Sequence, residues 1–474
     1  MSSLSRLMAA VAAVVALCLL VPAEPALAAV GGSSGVAAAA APLTEAQFLQ
    51  TLRYYPSHYS PPAGPRFNNP YGNQADRRRI LSHVIKTIDS VPGYRLRKPS
   101  GARIIDPTTG KPVACPENQP SLYPAQIKIA LYSIADKSFT DAMIRAHRRC
   151  VSVKLLMNDH LDATTSPSWA RLIKALGHRP GPARYATARS YAYRCTHGCL
   201  GTAVLHTKMY LFSDVYGARN VVMTGSSNMT SNAVRVQWND LYTIRNNPQV
   251  YGDYRSQFMR MVPDRSNGTP RVRHEGTYTS TFYPYRAARA STDLTMQALR
   301  SIRCTGAAGG TGIGGHTVLY IAMHSWHGTR GKYLAERVRE MYNRGCYVRI
   351  LYSFMGHGTY SLLTHGTGSR MVARRVLFPG PSGLVAAKYS HMKMFAASGN
   401  VAGDPSASVV WTGSNNWADR SIHCDEVTLR IASRSVYDAY VNHWNFMRAR
   451  RSSSTWAIYP EPGGGGRAPD NEAG

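Results

Sequence analysis

Hydrophobic and polar positions fall into a repeating order along this chain. Ile127 to Ile134 (IKIALYSI) is a nearly continuous apolar run of strand length, and Val318 to Ser325 (VLYIAMHS) matches it. Both place Ile-Ala at the same point and Ser near the end. The spacing predicts a helix after each, over Asp141 to Arg149 and Lys332 to Arg344, and then a second strand, over Val151 to Met157 and Tyr347 to Tyr352. Upstream, Phe67-Asn68-Asn69-Pro70 precedes a helical stretch from Arg77 to Ser90, and Phe282-Tyr283-Pro284 precedes another from Asp293 to Arg303. Alternation of strand and helix in this order implies sheets covered by helices. The predicted fold is therefore α/β, with two similar lobes, each a mixed, mostly parallel β-sheet flanked by helices in an α-β-α sandwich. Residues 63–275 form the first lobe and 276–458 the second.

The ends read differently. Met8 to Val21 is an apolar run of fourteen residues behind Arg6, and Ala26-Leu27-Ala28 fits a small-x-small cleavage site. A run this short is a signal-peptide core rather than a membrane span, so residues 1–28 are expected to be removed near Ala28 and the chain secreted. Residues 29–62, rich in Ala, Gly, Ser and Pro, read as a flexible leader, and 459–474 as a flexible tail.

Charge narrows the partners. Lys and Arg number 55 against 26 Asp and Glu, a net charge of +29, which cleavage leaves unchanged because Arg6 and Glu24 depart together. Such an excess favours polyanions such as nucleic acid, anionic lipid surfaces or wall polymers. Seven of the eight cysteines lie beyond the leader peptide. In a secreted chain these read as disulfides. Cys115 and Cys304 each precede the first strand of a lobe, and Cys150 and Cys346 each sit between helix and second strand. The repeat thus suggests Cys115–Cys150, Cys304–Cys346 and the local pair Cys195–Cys199, leaving Cys424 over.

The chemistry also comes twice. His206-Thr207-Lys208 is followed by Thr224-Gly225-Ser226-Ser227-Asn228, and His391-Met392-Lys393 by Thr412-Gly413-Ser414-Asn415-Asn416. In a strand, positions i and i+2 share a face, so each His aims with its Lys. Lobes packed about a pseudo-two-fold axis would bring both His, both Lys and both Asn into one cleft between them. That set suits a phosphodiester. Lys208, Lys393, Asn228 and Asn416, with Ser226 and Ser414, would hold the non-bridging oxygens. One His attacks phosphorus while the other protonates the departing oxygen. No metal or cofactor is called for. Each His also needs a partner for its tautomer. Asp240 lies 34 positions after His206 and Glu426 lies 35 after His391, which favours these two carboxylates over Asp214, Asn239 or Asp425.

These residues resemble the phospholipase D superfamily, whose motif is HxKxxxxD followed by GSxxN or a close variant. The resemblance implies a phosphodiesterase working through phosphohistidine, with His206 as nucleophile and His391 as acid/base; the residues alone leave that order open. The family's Asp, seven positions after the His, is here Ser213 and Ser398. Asp214 comes one place late in the first copy, and nothing before Asp404 substitutes in the second. The leading expectation is a secreted phospholipase D acting at the head group of glycerophospholipids, by hydrolysis or transfer. Trp326, Tyr360 and Trp417 are candidate interfacial aromatics. The alternative is a secreted, metal-independent nuclease on the same scaffold. A duplicated lobe makes a monomer sufficient, with no obligate protein partner.

Overall fold

The computed structural model describes residues 43–160, 166–266, 268–285, 289–364, 371–375, 377–378 and 388–449. The expected signal peptide, residues 1–28, and the expected tail, residues 459–474, lie outside the described residues.

Two mixed sheets organise the chain. The first has seven strands, in the order Gly64–Phe67, Asp240–Ile244, Ala218–Gly225, Lys208–Val215, Gln126–Leu131, Ser152–Met157 and Tyr191–Arg194. The second runs Arg271–Glu275, Tyr278–Phe282, Val427–Ala432, Asp404–Gly413, Lys393–Val401, Val318–Trp326, Tyr347–Met355 and Met371–Arg375, with Ile302–Arg303 attached to Lys393–Val401. Apart from Arg271–Glu275 and Ile302–Arg303, the second sheet repeats the strand order of the first. Arg271–Glu275 belongs to the second sheet, so that sheet begins before residue 276.

Parallel pairing is confined to one half of each sheet. In the first, Gln126–Leu131, Ser152–Met157 and Tyr191–Arg194 are parallel, and the remaining ladders among the described residues are antiparallel. The expected parallel majority is thus corrected. The strand carrying HxK and the strand ending in TGS are joined by a tight turn, at Tyr216-Gly217 in one copy and Ala402-Gly403 in the other, and a hairpin can only be antiparallel. Within these two sheets the parallel strands are joined through helices, as by Lys137–Arg148 with its Asp136 carboxylate accepting from the Phe139 N–H at 3.1 Å. Burial follows this division: every residue of Ser152–Met157 is buried, as befits a strand covered on both faces.

Side-chain alternation builds three layers of core. Tyr210 and Phe212 join Val84, Ile88, Phe139 and Met143 under the outer helices of the first sheet. Leu334, Val338 and Met341 cover Ile321, Ile350 and Phe395 of the second. Met209 and Leu211, on the opposite face, enter a third cluster with Met394, Ala396 and Val410 of the other sheet. Tyr254 and Phe258 of helix Pro248–Met261 and Tyr440 and Trp444 of helix Arg434–Ala449 complete that shared core.

The three disulfides are Cys115–Cys150, Cys195–Cys199 and Cys304–Cys346, and Cys424 is a buried thiol outside them. Residues 43–62 depart from the expected leader. Thr44 and Gln47 form a reciprocal capping box on helix Glu45–Thr51, Arg53–Tyr54 pairs with Gly93–Tyr94, and Arg53 binds Asp214 at 2.6 Å. Low charge concealed a cap and an anchoring ion pair. Trp326 and Trp417 are also corrected. They are 0% and 2% exposed, pack edge to face at 4.5 Å, and belong to the core of the second sheet.

Candidate active site

Each motif His sits just before its strand, and a backbone bond to the other half of the chain fixes it there. His206 N–H donates to Asp425 O at 3.0 Å, and His391 N–H to Trp238 O at 2.8 Å. The side chains cross in the same way. His206 Nδ1 is 2.8 Å from Glu426 Oε1, and His391 Nδ1 is 3.0 Å from Asn239 Oδ1. Each Lys turns back on its own His: Lys208 Nζ donates to His206 O at 2.5 Å and Lys393 Nζ to His391 O at 2.6 Å. All four side chains are buried.

These contacts correct one expectation. Asp240 bonds neither histidine; its carboxylate accepts from the Thr412 hydroxyl and from Tyr440 OH at 2.8 Å. The ladders explain why. Ser226 N–H donates to Asp240 O and accepts Asp240 N–H on Oγ at 3.0 Å, while Ser414 makes the same exchange with Val427. Asp240 therefore corresponds to Val427, and Asn239 to Glu426. The near-equal spacing misled because the loops differ. His391 to Ser414 is 23 positions against 20 from His206 to Ser226, and Ser414 to Glu426 is 12 against 13 from Ser226 to Asn239.

The TGS segments are close backbone crossings. A Cβ on Gly225 would lie 2.4 Å from Asp240 O, and one on Gly413 2.1 Å from Val427 O, so only glycine fits. Ser226 and Ser414, expected to touch substrate, lock these crossings, and Ser226 Oγ also donates to Asn239 Oδ1 at 3.0 Å. Asn228 and Asn416 are buried at the strand ends. Asn416 O accepts from Arg330 Nη1 at 2.5 Å. Ser213 takes a structural part at the place of the family's Asp: its Oγ accepts the Gln126 N–H at 2.8 Å.

Burial sets the electrostatics. His391 is held well below its ordinary value, first by burial and then by the positive charges of Lys393, His324, Lys208 and His206, so both motif copies share one field. Burial pushes Lys208 down to about 7, against the pull of Glu426. Burial pushes the Glu426 carboxyl up to about 8, partly offset by Lys208. A cavity of about 330 Å³ opens beside His206, lined in part by Tyr132, His160, Asn416, Arg420 and Glu426.

Three further residues complete the arrangement. Tyr132 and His324 occupy one register position, since their neighbours Leu131 and Met323 lie opposite Lys208 and Lys393. Each packs edge to face on a motif His, Tyr132 on His206 at 5.3 Å and His324 on His391 at 4.7 Å. The aligned strand sequences already held this pair. Asp425 had no such signal. Its carboxylate accepts the N–H groups of Cys199 at 2.5 Å and of Leu200 and Gly201 at 3.1 Å each, so the Cys195–Cys199 loop clamps the segment that carries Glu426.

A family model described as "Cardiolipin synthase, PLD-like domain" matches residues 124–262. No curated protein matches the chain in sequence. Among solved structures, phosphatidylserine synthase from Haemophilus influenzae aligns with 85% of this chain and 90% of its own at 11% identity and a TM-score of 0.46. Polyphosphate kinase from Porphyromonas gingivalis aligns with 89% of this chain at 10% identity and a TM-score of 0.45, and the chain spans 57% of that kinase's length. Nuc from Salmonella typhimurium, a phospholipase D family member, aligns with 43% of this chain and 96% of its own at 16% identity and a TM-score of 0.26. Residues 124–262 are thus similar to a phospholipase D-like domain and hold His206, Lys208 and Asn228, and a second copy of the motif stands at His391, Lys393 and Asn416.

Proposed function

We propose that the protein is a phosphodiesterase acting through phosphohistidine, with His206 as nucleophile and His391 as acid and base. The observation that carries this reading is the unlike pairing of the two histidines, a carboxylate on His206 and an amide on His391. With Nδ1–H donated to Glu426, His206 presents the Nε2 lone pair. Its attack on phosphorus leaves a cationic ring, and that positive charge draws the Glu426 carboxyl group into its ionised form, which stabilises the ring in turn. His391 Nε2, buried without a hydrogen-bond partner among the described residues, carries the proton delivered to the leaving oxygen. An imidazolium facing an amide and two lysines surrenders its proton readily. The P–O bond to the leaving group breaks as the P–N bond forms. In the second step His391 takes a proton from water or an alcohol, whose oxygen attacks phosphorus and releases His206. Lys208 and Lys393 stabilise charge on the non-bridging oxygens.

The substrate read here is a glycerophospholipid, with the head group as leaving group. The polar cavity beside His206 supports a small polar moiety there. Three disulfides support an extracellular setting. A nuclease is the second reading. It is favoured by the +29 charge. The deciding experiment assays the purified protein, with EDTA present, on phosphatidylcholine and phosphatidylglycerol vesicles and on single- and double-stranded DNA. Release of head group or phosphatidate supports the first reading and strand cleavage the second. Activity lost in EDTA and restored by a metal ion overturns the mechanism.

A further inference from the structure

A second cavity, of about 350 Å³, lies beside the frame that holds His391, and three of its lining residues are Arg77, Arg78 and Arg235. One carboxylate, Asp136, lines it too, and that group is already committed. It meets Arg78 Nη1 at 3.3 Å and caps the following helix through Phe139 N–H. Arg77 donates from Nε to Asn73 O at 3.4 Å and has no carboxylate partner among the described residues. Arg235 is exposed and has no ion-pair partner among them either. Lys388 adds to the same field. Burial and then the Arg77 charge hold its ammonium below the ordinary value, and it lies 3.8 Å from the Tyr71 ring centroid.

The cavity walls and the catalytic frame are hydrogen-bonded together. Asn68 accepts the Asn239 N–H at 2.7 Å, and its Nδ2 donates to Ala233 O at 3.0 Å, two residues before Arg235. Asn69 N–H donates to Asp76 O at 3.2 Å, the residue before Arg77. The strand Lys388–Ser390 pairs with Gln237–Trp238 and leads directly into His391. The arginines are therefore tied to Asn239, the partner of the histidine that protonates the leaving group.

We propose that this arginine cavity is a second anion site, which takes a phosphate carried by the leaving portion of the substrate. The proposal rests on the phosphohistidine reading and sharpens it. Guanidinium forks match phosphate oxygens and repel a quaternary ammonium. A leaving group bearing a phosphate is thus preferred over a neutral one, and a choline head group is disfavoured.

Two substrate pairs test this with the full chain. The lipid pair is phosphatidylglycerol and phosphatidylglycerol phosphate in mixed micelles. The nucleotide pair is dithymidine monophosphate with and without a terminal phosphate. Wild type should show kcat/KM about tenfold or more higher for the phosphate-bearing member of one pair, the scale of a charge-assisted hydrogen bond. The pair that shows the preference assigns the source of the phosphate. In Arg77→Gln/Arg235→Gln the ratio should fall toward one. An equal ratio in wild type and variant overturns the proposal. If wild type turns over no member of either pair, the phosphohistidine reading fails, and titration with inorganic phosphate still decides the site. Wild type should then bind one more phosphate than the double variant, and equal stoichiometry overturns the cavity as an anion site.

Discussion

Glu426 Oε1 lies 2.8 Å from His206 Nδ1 across 220 positions of sequence, so the first histidine is oriented by the second half of the chain. The reciprocal contact, Asn239 to His391, has an amide where the other has a carboxylate. That single difference breaks the equivalence of two otherwise repeated motifs and is the basis of the different work proposed for the two histidines.

Different work implies different products on substitution. His206→Ala should abolish both turnover and covalent phosphate capture. His391→Ala should also lose turnover, by roughly three or more powers of ten. With a substrate whose leaving group needs no proton, however, it should accumulate phosphate on His206. Acid-quench peptide mapping locates the label. Label on His391 of wild type, with none on His206, would reverse the roles.

With His391 in the proposed acid role, its partner should set the basic limb of the pH profile. Burial holds His391 low, and Asn239 supplies no charge to oppose that. Asn239→Asp should stabilise the imidazolium, so the acid stays protonated to higher pH. The basic limb of kcat on a poor leaving group should move up by about one unit. Glu426→Gln, which leaves His391 its amide, should lower kcat without that displacement. An Asn239→Asp profile that overlays wild type removes His391 from the acid role.

Asp425 ties stability to pH. Burial pushes its carboxyl up to about 7, so the folded chain keeps this proton where the unfolded chain has lost it. Its stabilising contribution is fully present below the unfolded value near 3.9 and is lost as pH rises through 7. The difference in Tm between wild type and Asp425→Asn should therefore shift against wild type from pH 4 to pH 7.5 and then level off. A difference independent of pH would show that Asp425 has the same affinity for its proton in both states.

The ion pair Asp293–Arg330, at 2.8 Å and buried on both sides, props the site from behind through Arg330 and Asn416 O. Burial alone would raise the Asp293 carboxyl, and the Arg330 guanidinium outweighs it, holding Asp293 below the usual range. Asp293→Ala strands a buried guanidinium and should cost about 3–5 kcal/mol in denaturant unfolding. Asp293→Asn, which keeps acceptors for Arg330 Nε and Tyr333 OH, should cost less. Equal costs would place the effect in packing rather than charge.

Local sequence was sufficient wherever local physics decided. Apolar runs at Ile127 and Val318 became strands, because buried parallel strands need apolar residues on both faces. Cysteines placed alike in the repeat became equivalent bridges. The two HxK and TGS copies marked the residues that the fold gathers, since i and i+2 spacing and a glycine crossing are short-range geometry. What lay between them was not legible. The antiparallel halves followed from two hairpins whose turns carry weak signals.

By itself, then, the sequence determined the repeat, the order of elements along each copy and the motif residues, and its symmetry suggested the cysteine pairs. Tertiary structure alone decided which acid meets which histidine. Glu426 reaches His206 and Asn239 reaches His391 because each segment crosses to the other half of the chain, where a one-residue change of register moves a side chain to the opposite face. Loop lengths of 23 against 20 and 12 against 13 put Asn239 33 positions after His206 and Glu426 35 after His391, so the closer match in count, Asp240 at 34, was the wrong residue. Only the backbone exchange of Ser226 with Asp240 and of Ser414 with Val427 aligns Asn239 with Glu426, and that exchange exists only once the strands have paired.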